Sequence, residues 1–152
     1  MEARFVHVNM DIVNGIDTIW SPEIDHSLPE GNIELSAMPM STGKQRTTWS
    51  PEHLFAAGVS GSIATTFFSL ARHEHLEIID FSIKASGKIE KTKGKQKLAE
   101  LILVPTVGLA DDSDFDTCSR LLERARRECP ICDFVPIKIL VRPYIEVSAA
   151  MV

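Results

Sequence analysis

Two thiols near the end of the chain, Cys129 and Cys132, are the residues best equipped for chemistry. A cysteine reacts as its thiolate, so its surroundings decide its use. Arg126 and Arg127 precede Cys129 and favour the thiolate, while the C-terminal end of a preceding helix opposes it. The spacing Cys129-Pro130-Ile131-Cys132 suits a redox dithiol or half of a zinc site. A tetrahedral site needs two further ligands, and no second Cys/His pair stands at ligand spacing. Exchange between Cys129 and Cys132 is therefore the better functional reading, beside a plain role as small buried apolar groups. Cys118 lies three helical turns before Cys129, too far along an α-helix for a disulfide, and reads as core.

Ser62 has the chemistry of a hydrolytic nucleophile, but Gly58-Val59-Ser60-Gly61-Ser62 only approximates the Gly-x-Ser-x-Gly elbow. It also falls inside a predicted helix instead of a strand-to-helix turn, so a packing serine is the stronger reading. His53, His73 and His75 are bases by type. His73 and His75 point to different helix faces and no triad follows from the spacing, so all three are expected at the surface. Glu52 is explained as a first-turn acid at a positive helix end. Arg46 reads as a solvated loop cation.

The elements that must carry these residues follow from periodicity. Residues 6–20 alternate apolar and polar around Asn14-Gly15, which predicts an antiparallel hairpin. Residues 21–50, rich in Pro, Ser, Gly and Thr, read as loop with a short strand at 32–36. A helix then starts with Ser50 as N-cap, Pro51 at its first position and Glu52 in its first turn. Residues 54–71 carry no charge, and a helix without a charged face must be covered on most sides. Gly58, Ser62, Thr65, Thr66 and Ser69 form a low stripe where another helix, of this chain or a second subunit, can approach.

Phe81, Ile83, Ala85 and Ile89 alternate with Ser82, Lys84, Ser86 and Lys88, predicting a half-buried strand. A basic tip at 91–97 separates it from a second strand at 98–107. A second helix is predicted after 111–114, with Ser113 as N-cap and Asp116 in capping-box position. It places Phe115, Cys118, Leu122, Ala125 and Cys129 on one face, and Arg120, Glu123, Arg124 and Arg127 elsewhere. The last strand covers 137–147, with Pro143 indicating a sheet edge. This order predicts a single α+β domain over 1–152.

The chain has 152 residues, 44% of them hydrophobic, enough for a sizeable core without disulfides. Its net charge of −5 argues against general nucleic-acid or membrane-surface partners, which need a basic field. The N-terminus lacks the layout of a signal peptide and no apolar run is expected to reach the length of a bilayer span, so a cytoplasmic location is expected. Three cysteines in such a reducing compartment read as thiols, ligands or redox groups before they read as a framework.

Two segments together, Ser50-Pro51-Glu52-His53-Leu54-Phe55-Ala56-Ala57-Gly58-Val59-Ser60-Gly61-Ser62 and Arg126-Arg127-Glu128-Cys129-Pro130-Ile131-Cys132, resemble the active-site segments of the OsmC/Ohr family. The resemblance extends over nearly the whole chain, most strongly from Ser50 onward. It implies an α+β fold in which antiparallel sheets flank two central helices of an intertwined homodimer, with active sites at the subunit interface. It also implies thiol-dependent reduction of organic hydroperoxides. Cys129-Pro130 matches the segment whose cysteine resolves a sulfenic acid into a disulfide that a dithiol reductant reopens. Glu52 matches a glutamate that orients a catalytic arginine, for which Arg46 is the nearest preceding candidate.

Ser62 stands where that family carries its peroxide-attacking cysteine. A hydroxyl has no stable product equivalent to a sulfenic acid, so the two-cysteine cycle is broken at its first step. Two functional readings follow. One is a protein that keeps the dimer cleft, lined by Phe55, Ile63, Phe67 and Phe68, for a small apolar ligand. The other is a hydroperoxide or disulfide reductase that uses Cys129, alone or with Cys132, and a dithiol reductant. A purely structural dimer is the third. None calls for a metal or an organic cofactor.

Overall fold

The computed structural model describes residues 3–11, as backbone only, and residues 51–147. Strand β1 (Ala3–Asp11) pairs antiparallel with β2 (Ile78–Thr92), and β2 pairs antiparallel with β3 (Lys95–Leu109). β1 overlaps the first part of the hairpin expected over 6–20, and its described partner is β2; the Asn14-Gly15 turn, the second arm and the strand at 32–36 lie outside the described residues. The β2–β3 hairpin is longer than its sequence suggested. Its arms run through the basic tip to the pair Thr92 and Lys95. Only Lys93 and Gly94 turn, both at positive φ (52° and 78°), as a two-residue hairpin loop twisted like its strands requires.

Alternation along this hairpin defines a buried face. Phe81 pairs with Val107, Ile83 with Pro105, Ala85 with Leu103 and Gly87 with Leu101, and all eight residues are buried. The intervening Ser82, Lys84, Ser86 and Lys88 are exposed or half-buried. Gly108 faces the register irregularity between Ile78 and Asp80, where a Cβ would lie a tight 3.2 Å from the Asp80 Cβ.

Helix α1 (Pro51–His73) covers that buried face. Val59, Ile63, Ala64 and Phe67 are fully buried, and Phe67, Phe68 and Phe81 form an aromatic cluster with centroids 4.9–5.8 Å apart. At 23 residues and a mean hydropathy of 1.5 in its most apolar window, α1 is long and apolar enough to cross a membrane by length and composition alone. That differs from the sequence expectation. Its buried side, packed into the hydrophobic cluster with the sheet and the second helix, makes it the core helix here.

After β3, the Asp111 carboxylate accepts a hydrogen bond from the Ser113 amide at 2.9 Å and caps a 3₁₀ turn at Asp112–Asp114. That bond holds the Asp111 carboxyl below its usual range. Helix α2 (Phe115–Glu128) begins only after this extra turn, with Asp114 and not the expected Ser113 at its N-cap and no side-chain cap bond there. Its buried stripe is Cys118, Leu121, Leu122 and Ala125. Phe115, expected on that face, is the first residue of the helix and remains exposed. A two-pronged pair between Arg120 and Glu74 ties α2 to the residue after α1, and holds the Glu74 carboxyl below its usual range.

Two short strands, β4 (Lys138–Val141) and β5 (Tyr144–Val147), replace the single last strand expected over 137–147. Pro143 has no amide to donate, and the ladder breaks there after the Arg142 amide bonds the Leu103 carbonyl at 2.8 Å. Both strands lie parallel to β3, so the sheet is mixed and not the antiparallel arrangement expected. The reason is topological: the β3–α2–β4 connection is a helical crossover, which brings the next strand back in the same direction. The described chain is thus an α+β fold with one five-stranded sheet and two helices.

The register predicts unequal costs for neighbouring positions. Leu103→Ala, on the buried face, is expected to destabilise by about 2–5 kcal/mol. Lys84→Ala, on the opposite face, should change stability by no more than about 0.5 kcal/mol. Urea unfolding checks both; similar losses at the two positions would contradict the register.

Candidate functional site

Helix α2 ends at Glu128 for a local reason. A residue before proline is driven out of the helical region, and Cys129, ahead of Pro130, has φ −59° and ψ 119°. The chain leaves the helix axis there, then closes a 3₁₀ turn at Cys132–Phe134, with the Phe134 amide donating to the Ile131 carbonyl at 3.1 Å. The Cα atoms of Cys129 and Cys132 are 5.4 Å apart and the sulfurs form a disulfide. Both cysteines are buried, at 1% and 4% exposure, although Phe134 in the same turn is 86% exposed.

The sulfur of Cys129 meets helix α1 at Ser62. A disulfide sulfur carries no proton, so the Ser62 hydroxyl is the donor in their 3.4 Å contact. The Ser62 carbonyl in turn accepts the hydroxyls of Thr65 at 3.1 Å and Thr66 at 2.8 Å. Ser60 behaves differently, returning its hydroxyl to the Ala56 carbonyl at 2.7 Å. Beside the Ser62–Cys129 contact lies a groove of about 350 Å³. Ser62, Thr65, Thr66, Ser69 and Leu70 line it from α1, and Glu128, Pro130 and Ile131 line it from the end of α2.

The electrostatics around Cys129 are not those of a cationic thiolate site. The Arg126 guanidinium is turned toward β4, where its Nε donates to the Ile139 carbonyl at 3.4 Å. Arg127 is exposed. Glu128, at the groove, pairs with Arg124 at 2.7 Å. The helix end contributes partial negative charge. Cys118 is a free, buried thiol, pushed up to about 11 by burial, with Asp114 adding to the effect.

Three of the sequence candidates, Cys129, Cys132 and Ser62, thus come together. Glu52 does not join them within the chain. It is ten residues before Ser62, about 15 Å along the helix. It lines a separate cavity of about 290 Å³ with Pro51, Phe55, Leu98 and Ile137. Arg46 lies outside the described residues. Of the expected cleft residues, Ile63, Phe67 and Phe68 are instead core, because the apolar face of α1 is consumed by the sheet. His73 and His75 are exposed, while His53, expected at the surface, is half-buried. Among the described residues, no group of three or more His, Cys, Asp or Glu side chains could hold a metal ion.

Sequence reasoning missed Glu128, Ile131 and Leu70 as groove residues. A signal existed for Leu70, which continues the stripe of Ser62, Thr65, Thr66 and Ser69 at helical spacing. None existed for the others, because they join the site through the bend after Cys129.

A family model described as OsmC-like protein matches residues 42–142. No curated protein gives a significant match. Among solved structures, an OsmC-like protein of unknown function from Vibrio cholerae is 22% identical with a TM-score of 0.58. That match covers 63% of this chain and 64% of the Vibrio protein, so it spans less than two thirds of the relative's length. An organic hydroperoxide resistance protein OsmC from Legionella pneumophila is 22% identical with a TM-score of 0.55, covering 72% and 78% of the two chains. An OsmC-like protein from Mycoplasma pneumoniae is 14% identical with a TM-score of 0.60, covering 96% and 98%. At these identities the likeness is one of fold.

The cysteine assignment predicts the thiol count of the oxidised protein. Unfolded without reductant, each chain should expose one thiol, Cys118, and reduction should raise the count to three. In the folded protein near pH 8, Cys118 should resist iodoacetamide, being buried and protonated. Peptide mass spectrometry that found Cys118 alkylated in the native state, or a disulfide to another chain, would contradict this.

Proposed function

This chain belongs to the OsmC-like protein family, and we propose that it is a thiol-dependent reductase of organic hydroperoxides whose redox pair is Cys129 and Cys132. The observation that carries the proposal is the Cys129–Cys132 bond, formed beside a groove and in contact with Ser62. The name of the Legionella relative, an organic hydroperoxide resistance protein, supports the substrate class.

In the proposed cycle, the Cys129 thiolate attacks the terminal oxygen of ROOH. The O–O bond breaks, and ROH leaves after taking up a proton. Cys129 is then a sulfenic acid. The Cys132 thiolate attacks that sulfur and displaces hydroxide, which leaves as water, and the disulfide seen here forms. A dithiol reductant reopens it by two exchange steps and is itself oxidised to a disulfide. The balance is ROOH plus dithiol to ROH, water and disulfide. No metal or organic cofactor enters.

Ser62 occupies the position of the family's attacking cysteine in this reading. Its 3.4 Å distance from Cys129 Sγ supports that placement, because two cysteines at these positions would be neighbours. Glu52 and Arg46 keep the roles of arginine-orienting acid and catalytic cation; about 15 Å of helix separates Glu52 from Ser62 of its own chain, so Glu52 would serve the site of a second subunit. A homodimer would cover the α1 stripe, where Gly58 is exposed and Ser62, Thr65, Thr66 and Ser69 are half-buried. We place the protein in the cytoplasm, where a Cys-x-x-Cys disulfide is a transient of turnover and not a structural staple.

A second reading, a binding protein for a small apolar molecule, is favoured by one observation. The Thr65 and Thr66 hydroxyls are committed to the Ser62 carbonyl, so the groove is less polar than its composition, with Leu70, Pro130 and Ile131 in its wall. Native mass spectrometry of freshly purified protein would then show a retained molecule.

The reductase reading predicts that Cys129→Ser lowers consumption of an organic hydroperoxide, supplied with a dithiol, to the uncatalysed background. Cys132→Ser should leave a sulfenic acid on Cys129 that a dimedone-type probe traps. Equal rates in Cys129→Ser and parent protein would overturn the proposal.

A further inference from the structure

We infer that Ser62 is a positioning residue for Cys129, its hydroxyl donating to the sulfur and stabilising the thiolate relative to the thiol. The inference rests on the reductase reading for its purpose, but its geometry is independent of turnover. Cys129 is buried and follows the C-terminus of α2, and both features oppose a negative sulfur.

Among the described residues of its own chain, the charged groups near it offer little help. On α2, Glu128 is paired with Arg124, and Arg126 is bonded to the Ile139 carbonyl. Asp133, beyond the turn, and Lys138, on β4, are exposed. The groove-lining residues of α1, Ser62 through Leu70, include no titratable side chain. The Ser62 hydroxyl lies 3.4 Å from the sulfur and is the group that can donate to it once the sulfur has lost its proton.

Two features hold it there. The carbonyl of Ser62 receives the hydroxyls of Thr65 and Thr66, which fixes the residue and removes both threonines as competing donors. The Ser62 hydroxyl is directed across to α2, whereas that of Ser60, one half-turn earlier, closes back on its own helix. A hydrogen bond to the charged form of an acid lowers its pKa.

The test uses the full-length reduced protein carrying Cys132→Ser, so that Cys129 cannot form its disulfide. Iodoacetamide labelling of Cys129 is followed against pH by peptide mass spectrometry, with the labelling rate of a free thiol such as glutathione in the same samples as the reference. Adding Ser62→Ala is expected to move the Cys129 midpoint up by about one to two units, the size of a lost bond to a charged group. Labelling at a pH below both midpoints should fall roughly tenfold to a hundredfold. Alanine is the better helix former, so the fold should persist. Ser62→Thr, which keeps the hydroxyl, should restore the parent midpoint.

An unmoved midpoint in Ser62→Ala would overturn the inference, as would failure of Ser62→Thr to restore it. The two proposals fail separately. A shifted midpoint without Cys129-dependent peroxide consumption would uphold the role of Ser62 and remove the reductase reading. Cys129-dependent consumption with an unmoved midpoint would do the reverse.

Discussion

A helix without a charge between its first turn and its last must be covered along its length, and this requirement on α1 organises the rest of the domain. The sheet takes one side through Phe81, Ile83, Leu101, Leu103 and Val107. Helix α2 takes a second through Cys118, Leu121, Leu122 and Ala125. What remains is the stripe of small residues from Gly58 to Ser69, too polar for the core and too uniform for an ordinary solvated face. The candidate site is built on that remainder. Its serines and threonines line a groove with Glu128, Pro130 and Ile131, where the chain leaves α2.

That bend depends on one residue. Pro130 forces Cys129 out of the helical region, and a 3₁₀ turn at Cys132–Phe134 follows. A three-residue spacing leaves two side chains as neighbours even in a continued helix, so the Cys129–Cys132 pair does not owe its closeness to the bend. What the bend sets is the course of Pro130 and Ile131, which wall the groove beside Glu128.

Much of this was legible in the sequence, and the failures have definite origins. The uncharged run at 54–71, the alternation at 81–89 and the apolar spacing after Asp116 each reported a real buried face, because burial is what periodicity records. Ser113 does not take the N-cap place of α2 because a 3₁₀ turn that no pattern announces, capped by Asp111, comes first and leaves Asp114 at that place without a side-chain cap bond. The parallel direction of β4 and β5 was missed because periodicity gives strands without directions. Phe67 and Phe68 were placed in a cleft because an aromatic residue on an all-apolar helix looks the same whether a sheet or a ligand covers it. Cys129 and Cys132 were legible as a pair from spacing alone. Their contact with Ser62 was not, since it joins residues 67 apart in the chain.

If the proposed reductase reading holds, the contact also bears on how a thiol site would work with a serine at position 62. A redox pair divided between two helices needs both sulfurs in register across a packing interface, so any shift of α1 against α2 changes their distance. A pair within one turn has its separation fixed by four residues, and packing only needs to keep the turn in place. Position 62 is then free of the redox step itself. A serine there is compatible with an active sulfur at 129, because a hydroxyl can hydrogen-bond a thiolate without being oxidised by the same peroxide. On the proposed reading, the residue that ends the two-segment cycle is one whose hydroxyl, 3.4 Å from Cys129 Sγ, would support a one-segment cycle.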